Sequence, residues 1–248
     1  MSAALLVCGV VRSGHPVPLG TPAPDDAIAS VRFVHAGGLA AVVRDLPDDA
    51  VPGEDDASRH VDALIALLRG GPVLPIRFGT LAPDEDAVRE LLEGAGDELA
   101  RRLDALDGLV EVRLQIDGDL DAELQALVEA SPALARVRPE RLDDRVRRGE
   151  QISARLAERR DELGEQVLAR LQRLAVAHTT LRSQIATEVK HAYLIRAEAL
   201  HEFDEAVQTL RDELGERYAI EYAGPLPPFE FTELSHGAQA PARSRWGW

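Results

Sequence analysis

The sequence has few of the residues on which many protein functions depend. It contains one cysteine, Cys8, which excludes an internal disulfide framework and a cysteine-rich metal site. Aromatic residues make up 4% of the 248 residues, so the cores must be built mostly from leucine, valine, isoleucine and alanine. No stretch approaches the ~18 consecutive apolar residues of a membrane span, and no signal peptide is recognisable at the N-terminus. We therefore expect a cytoplasmic chain without a membrane span.

Positive charge is also scarce. The 28 lysines and arginines are outnumbered by 43 aspartates and glutamates, which gives a formal net charge of −15. Such a field repels nucleic acids, because non-specific binding to them depends on neutralising phosphates. We therefore expect no nucleic-acid partner. The charge favours solubility, and it would also suit a protein that handles a sticky partner.

Motifs that carry chemistry are missing as well. The seven histidines are scattered, and no two of them are spaced four residues apart as on one face of a helix. The chain contains no nucleophile elbow, P-loop or dinucleotide fingerprint. The sequence therefore predicts no catalytic residue, no metal and no cofactor, and its site chemistry does not indicate an enzyme.

The first 80 residues predict one small α/β unit. The expected elements are a buried central strand at 3–11, a loop at 14–24, a short helical piece at 25–29, a hairpin of strands 31–35 and 39–43 around Gly37 and Gly38, a helix from about Ser58 with Val61, Leu64, Ile65 and Leu68 on its apolar face, and a strand in 71–80. This order matches a ferredoxin-like split βαβ unit with a weak first helix.

The last of these elements reads Gly71-Pro72-Val73-Leu74-Pro75-Ile76-Arg77-Phe78-Gly79-Thr80, and we call it the signature run. Pro75 cannot donate a ladder hydrogen bond, so we expect this strand at a sheet edge or at a bulge. Arg77 is the one charged residue in the run. It is either an edge arginine that reaches a surface carboxylate or an anchor for a ligand or partner.

The second half predicts a further α+β domain. The expected elements are a helix over 83–106, a strand at 109–116 with Glu111, Arg113 and Gln115 on a wet face, a helix at 119–129, a long helix from Pro139 to about Ala177, strands at 179–184 and 192–196, a helix with Phe203, Val207, Leu210 and Leu214 closed by Gly215, and a strand at 218–222. The long helix is either a hairpin packed over the sheet or an exposed arm for a partner or second copy.

We therefore predict an α+β fold with two domains. Residues 1–80 form an N-terminal modified ferredoxin-like domain, and residues 81–234 form a C-terminal α+β domain, a ferredoxin-like sheet with long inserted helices. Residues 235–248, which include Trp246 and Trp248, are expected to be a disordered tail.

Two motifs resemble a known family. Residues 73–80 of the signature run and the closing motif Tyr222-Ala223-Gly224-Pro225-Leu226-Pro227-Pro228-Phe229-Glu230-Phe231 are similar to segments of the gas vesicle protein F/L family (GvpF/GvpL). Further matches follow in the family's order at 38–43, His60, Gly149-Glu150 and 192–195. The resemblance spans residues 3–234 and does not distinguish F from L members.

The resemblance implies a non-enzymatic accessory protein of gas vesicle formation. Such a protein would be a minor vesicle component that binds the small hydrophobic shell protein, limits its aggregation and helps to nucleate the vesicle. Its partners would be the shell protein and other gas vesicle accessory proteins, and its location the gas vesicle or the cytoplasm. The implied fold has an N-terminal modified ferredoxin-like domain and a C-terminal α+β domain with long helices.

The expected partner-binding residues are Leu74, Pro75, Ile76, Arg77 and Phe78. We expect the signature run, as an edge strand, to pair its backbone with an extended segment of the partner. The alternative is a ferredoxin-like protein that binds or converts a small anionic ligand, held by Arg77 and a nearby histidine.

Overall fold

The structure, a computed structural model, describes residues 4–16, 31–47, 50–131 and 142–232. It is an α+β fold with two antiparallel sheets, and it divides into two compact units. The first unit comprises the described residues up to Glu111 and from Pro225 onward, and the second is Val112–Gly224. The domain boundaries expected after residues 80 and 234 stay predictions. The helical piece at 25–29, most of the 14–24 loop, the start of the long helix and the C-terminal tail lie outside the described residues.

The sheet of the first unit is organised around its first strand. Its strands are β1 (Leu5–Arg12), β2 (Arg32–Ala36), β3 (Leu39–Asp45), β4 (Leu74–Pro75) and β5 (Leu81–Ala82). The order is β2-β3-β1-β4, with β5 also paired to β1, and the registered pairs in this sheet are antiparallel. All residues from Leu5 to Val11 are buried, which confirms the predicted central strand. Gly37 and Gly38 have φ of 57° and 82°, and they form the predicted hairpin turn between β2 and β3.

Helix α1 (Glu54–Leu68) packs on this sheet through a face that differs from the predicted one. It begins four residues before Ser58, because Gly53 caps it and the Asp56 carboxylate accepts the Gly53 N–H at 3.0 Å. The predicted apolar face was correct for Leu64 and wrong for its other three residues: Val61 is 37% exposed, and Ile65 and Leu68 are only partly buried. The buried positions of the helix include small and polar residues that apolar periodicity did not count, and they are His60, Ala63, Leu64, Ala66 and Leu67.

The single helix expected over 83–106 is two helices, α2 (Glu85–Gly94) and α3 (Gly96–Ala105). They are separated at Ala95, whose φ of −113° and ψ of 10° leave the helical range. Gly94 and Gly96 flank this residue, and glycine lowers helix stability by about 1 kcal/mol relative to alanine. The predicted single helix was therefore wrong at the position where the two glycines make helix formation least favourable.

Strand β6 (Leu109–Gly118) buries its apolar face as its alternation predicted, and Arg113 and Gln115 on the other face are half-buried, but the prediction was wrong for Glu111. Glu111 is fully buried, and its carboxylate accepts the backbone N–H of Glu230 at 2.8 Å. Arg102 of α3 donates to the Thr232 carbonyl at 3.4 Å, and Phe229 packs against the core cluster of the first unit. The prediction failed for Glu111 because its partner lies 119 residues further along the chain. Residues 225–232 therefore belong to the first unit.

The sheet of the second unit has the order β7-β8-β6-β9. Its other elements are α4 (Leu120–Ala130), α5 (Leu142–Leu171), β7 (Ala177–Thr180), β8 (Glu188–Arg196), α6 (Leu200–Leu214) and β9 (Tyr218–Leu226). Strand β7 ends at Thr180 rather than at 184, and β8 begins four residues before the predicted position. Gly215, with φ of 63°, ends α6 as expected.

The buried carboxylate of Glu123 and the apolar face of α5 fix the helices of this unit against its sheet and against each other. The buried carboxylate of Glu123 in α4 contacts Arg159 of α5 at 2.9 Å, Arg217 at 2.7 Å and the Tyr218 hydroxyl at 2.8 Å. Helix α5 buries Leu156, Val167 and Leu171, whereas Leu142 and Val146 at its N-terminal end are 71% and 52% exposed. The C-terminal part of α5 is therefore packed against the unit, whereas the side chains at its N-terminal end are largely exposed. No helix in the described ranges is long and apolar enough to cross a membrane.

Gly9 in β1 is tightly packed against two neighbouring elements, and this contact can be tested. A Cβ atom there would lie 2.8 Å from Leu64 Cδ2 of α1 and 3.0 Å from the Leu74 carbonyl oxygen. Because the carbonyl belongs to the paired strand, we expect Gly9→Ala to lower the free energy of unfolding by about 1–3 kcal/mol, measured by thermal and urea unfolding.

Gly94→Ala is the matched control. A Cβ atom at Gly94 meets nothing within 4 Å. We expect this variant to be as stable as the native chain or up to about 1 kcal/mol more stable. Equal stability of the Gly9→Ala and Gly94→Ala variants would contradict the proposed close contact.

Candidate functional site

The signature run is anchored to β1 at both ends and leaves the sheet between them. Pro75 and Leu74 pair with Gly9 and Val10, and Leu81 and Ala82 pair with Leu6 and Leu5. The Ile76 N–H donates to the Cys8 carbonyl at 3.0 Å, and the Val7 N–H donates to the Thr80 carbonyl at 2.9 Å. Between these bonds, residues 77–79 form a turn outside the ladder. We call residues 77–81 the display turn.

The display turn has its own internal hydrogen bonds. Thr80 donates to the Arg77 carbonyl through its backbone N–H at 3.2 Å and through its hydroxyl at 2.8 Å. Gly79 has φ of 87°, a conformation that other residues adopt only with strain. The turn is therefore held in one shape by local bonds and by the two flanking strands.

The five predicted binding residues fall into two groups. Leu74, Pro75 and Ile76 are buried in the first unit, whereas Arg77 is exposed and Phe78 is half-buried. Among the residues that the structure describes, the Arg77 guanidinium has no carboxylate partner. Leu81, which lies just past the run and was not predicted, is 43% exposed. Its exposure depends on the turn before it, and strand periodicity alone gives no sign of this.

Behind the display turn lies a buried histidine. The His60 ring meets the Phe78 ring edge-on, with centroids 5.5 Å apart, and its Nδ1 has no hydrogen-bond partner within the described ranges. Burial lowers the pKa of His60 to about 4; a backbone hydrogen bond with Ile76 opposes this shift, and the charge of nearby Arg44 adds to it. His60 is therefore neutral near pH 7. It is only 2% exposed, so it does not share a solvent-facing site with Arg77.

The Cys8 thiol and the possible metal ligands of the described ranges are further candidates for reactive groups. Burial raises the pKa of the Cys8 thiol to about 12, so the thiol is neutral and unreactive near pH 7. In the described part of the chain, no cluster of three histidine, cysteine, aspartate or glutamate side chains could hold a metal ion.

A cleft of about 530 Å³ lies in the second unit, between α5 and the β7–β8 strands. Its charges oppose one another: Arg160 contacts Asp161 at 2.7 Å, and Lys190 contacts Glu188 at 2.9 Å. His191 is buried there, and burial lowers its pKa. The cleft therefore lacks the concentration of one charge that would attract an ionic substrate.

The fold is shared with solved gas vesicle proteins. GvpF from Microcystis aeruginosa superimposes with a TM-score of 0.76 at 22% identity, covering 94% of this chain and all of that one. GvpF from Anabaena sp. PCC7120 superimposes with a TM-score of 0.77 at 21% identity, covering 95% of this chain and all of that one. These structures define the class as an α+β protein with the GvpF fold.

Sequence comparison identifies the family. The model of the family "Gas vesicle synthesis protein GvpL/GvpF" matches residues 5–233. Gas vesicle protein F of Streptomyces sp. (strain CB03234) is 30% identical over 92% of this chain and 98% of its own length. Gas vesicle protein L of the same strain is 32% identical over 73% of this chain and 70% of its own length. The chain belongs to the GvpL/GvpF family, which confirms the resemblance, and it is a gas vesicle-related protein.

The buried His60 predicts an acid-sensitive stability. Its pKa is about 4 in the folded chain and ~6.5 when unfolded, so the unfolded chain takes up the proton first as pH falls. Its contribution is therefore fully present above pH ~6.5 and is lost as pH falls towards ~4. Between about pH 7.5 and pH 5 we expect a loss of ~2 kcal/mol from this residue, measured by urea unfolding.

The free energy of unfolding of the His60→Leu variant should lack the part of the pH dependence that is due to His60. His201→Leu is the control, because the His201 side chain is 87% exposed. A His60→Leu variant with the same pH dependence as the native chain would show that His60 is not the responsible group.

Proposed function

We propose that this chain is an accessory protein of gas vesicle assembly. It binds the small hydrophobic shell protein, limits its aggregation and helps to nucleate the vesicle, of which it is a minor component. Membership of the GvpL/GvpF family supports the link to gas vesicles. The shell protein and other gas vesicle accessory proteins are the proposed partners, and the vesicle is the proposed location.

The display turn is the observation that supports a binding role most directly. It presents Arg77, which has no carboxylate partner among the described residues, together with the half-buried Phe78 and the 43% exposed Leu81, on a backbone bonded to β1. A preformed contact of this kind costs little ordering entropy when a partner binds. Leu74, Pro75 and Ile76 would then shape the site from inside the core, while Arg77, Phe78 and Leu81 would make the contact.

Pairing through the backbone of the run is limited by its length. Strand β4 has two residues, and Pro75 has no N–H to donate. We therefore propose that side chains of the display turn contribute more to the contact than added strand hydrogen bonds do.

The finer architecture is also a proposal. The order β2-β3-β1-β4, with antiparallel pairs and α1 between β3 and β4, supports a modified ferredoxin-like first domain. In the second unit, β8 and β9 lie on either side of β6 and are joined through α6, which supports a related sheet with long inserted helices.

The binding role is tested by co-expressing the tagged chain with a GvpA-type shell protein and measuring the shell protein that co-purifies and stays soluble. We expect Arg77→Gln combined with Leu81→Ser to reduce co-purification about tenfold, equivalent to ~1.4 kcal/mol. Absence of co-purification with the native chain would refute the proposal.

The matched control is Arg69→Gln combined with Val61→Ser. Arg69 is exposed, and Val61 is 37% exposed, on α1 of the same unit. These changes remove the same kinds of side chain, so co-purification should be retained. An equal loss in both double variants would place the contact outside the display turn.

A further inference from the structure

Strand β9 is a long strand at the edge of the second sheet. It spans nine residues and is last in the order β7-β8-β6-β9, whereas β7 at the opposite edge has four residues. Long edge strands are usually protected by lysine, proline or a bulge. Between residues 218 and 224, β9 has no proline and one charged residue, Glu221. Its one proline, Pro225, lies near the C-terminal end of the strand, and within the described ranges no further strand pairs with this edge.

A hydrogen bond from a side chain identifies which backbone groups face the open side. The Arg211 guanidinium of α6 donates to the Ile220 carbonyl at 3.4 Å. The Arg217 carbonyl accepts the Asp119 N–H beside β6 at 3.4 Å, and because Ile220 lies an odd number of residues further along the strand, its carbonyl points to the other side. Since the N–H and C=O of one antiparallel strand residue point to the same side, Ile220 and, two residues away, Tyr218 and Tyr222 present theirs outward. The bond is long, so an incoming N–H can replace it.

An acidic groove of about 460 Å³ runs between this edge and α6. Its acidic residues are Asp204, which accepts the Tyr222 hydroxyl at 2.7 Å, and Glu205, whose carboxylate lies 3.5 Å from the His201 ring nitrogen in the same lining. Arg211 is the arginine among the groove's lining residues, and it already contacts Ile220. A basic side chain entering here would meet Asp204 and Glu205.

The two faces of β9 differ in chemistry. Tyr218, Ile220 and Tyr222 are half-buried, and Tyr222 stacks on Phe203 of α6. Ala219 and Ala223 on the opposite face are exposed, small and apolar. A strand added at the edge would therefore place one set of side chains towards the acidic groove and the other beside these alanines.

We propose that the β9 edge and the adjoining groove form a strand-addition site for an extended partner segment in which basic and apolar residues alternate. The basic residues face Asp204 and Glu205, and the apolar residues cover Ala219 and Ala223. The site lies in the second unit and is independent of the display turn. It uses the first three residues of the closing motif, Tyr222–Gly224, which the proposed function leaves without a role.

A second copy of this chain is a poorer occupant. Antiparallel pairing of two β9 strands about the middle of residues 218–224 would place Glu221 opposite Glu221, and like charges in that position are destabilising. The net charge of −15 opposes self-association in the same way and favours a basic segment.

The first measurement is the fluorescence anisotropy of a labelled peptide of alternating valine and lysine, titrated with the full chain at about 0.15 M salt. We expect saturable binding. The same peptide with N-methyl groups on alternate amides, and a valine–glutamate peptide, should bind at least about tenfold more weakly. No binding of the valine–lysine peptide, or equal binding of its N-methylated form, would overturn the proposal.

Variants then place the binding on β9. Ile220→Pro removes an outward N–H and should weaken binding about tenfold, while Ile220→Val keeps the N–H and should bind as the native chain does. Glu205→Lys should weaken binding about fivefold without touching the sheet. Its control is Glu202→Lys, the same charge change on α6 outside the groove lining.

Two outcomes would overturn the assignment. Equal effects of the Glu205→Lys and Glu202→Lys variants would show that overall charge attracts the peptide. A native dimer in sedimentation velocity that Ile220→Pro converts to a monomer would show that a second copy occupies the edge. Because the display turn is intact in these variants, shell-protein co-purification through that turn should be unchanged, which separates the two proposals.

Discussion

The first unit depends on the double role of β1, which is paired on both sides and buried on both faces. Its backbone hydrogen bonds set the position of β3 on one side and of β4 and β5 on the other. Gly9 lets α1 and the signature run approach it together, since any side chain there would meet both. The Cys8 carbonyl and the Val7 N–H then hold the two ends of the display turn. The geometry of an exposed turn is thus set by the most buried strand of the unit.

The edge strands of the two sheets differ in length and in burial. In the first unit, the edge residues Leu74 and Pro75 are buried, and the chain leaves the ladder after two residues. Strand β9 continues for nine residues, seven of them in the second unit, and its side chains alternate between half-buried and exposed from Tyr218 to Ala223. The buried Glu123 accepts a hydrogen bond from the Tyr218 hydroxyl, which anchors the start of β9 to α4. Anchored edges suit recognition of an extended segment, because little order has to be gained on binding.

Local signals predicted the elements whose structure is set by neighbouring residues. The Gly37-Gly38 turn, the apolar run of β1 and the Gly215 end of α6 were predicted because each depends on a few adjacent residues. The edge position of the signature run followed from Pro75 in the same way. The family was recognisable because the run and the closing motif combine proline, glycine and aromatic residues in an irregular order.

Tertiary contacts account for most of the errors, the local break between α2 and α3 at Ala95 being the exception. Glu111 looked solvent-facing because strand alternation gives no information about a backbone amide 119 residues away. The buried face of α1 was misjudged because His60 and Ala63 face the sheet, and simple apolar periodicity does not count them. The five predicted binding residues were assigned to one strand. In the structure Leu74, Pro75 and Ile76 are buried, whereas Arg77 and Phe78 lie at the turn that contains Gly79, and a strand assignment does not reveal that turn.

The return of residues 225–232 to the first unit has a consequence for biosynthesis. Phe229 packs on the core around β1, and Glu230 bonds to Glu111, yet these residues leave the ribosome after all of Val112–Gly224. The inserted unit is therefore complete in sequence while its host still lacks a part of its core. Since domains fold as units during synthesis, the insertion can fold first, and the host can complete its core only after residues 225–232 have been synthesised. A nascent chain stalled within the insertion would thus carry a first unit whose core lacks Phe229 and the bond between Glu230 and Glu111.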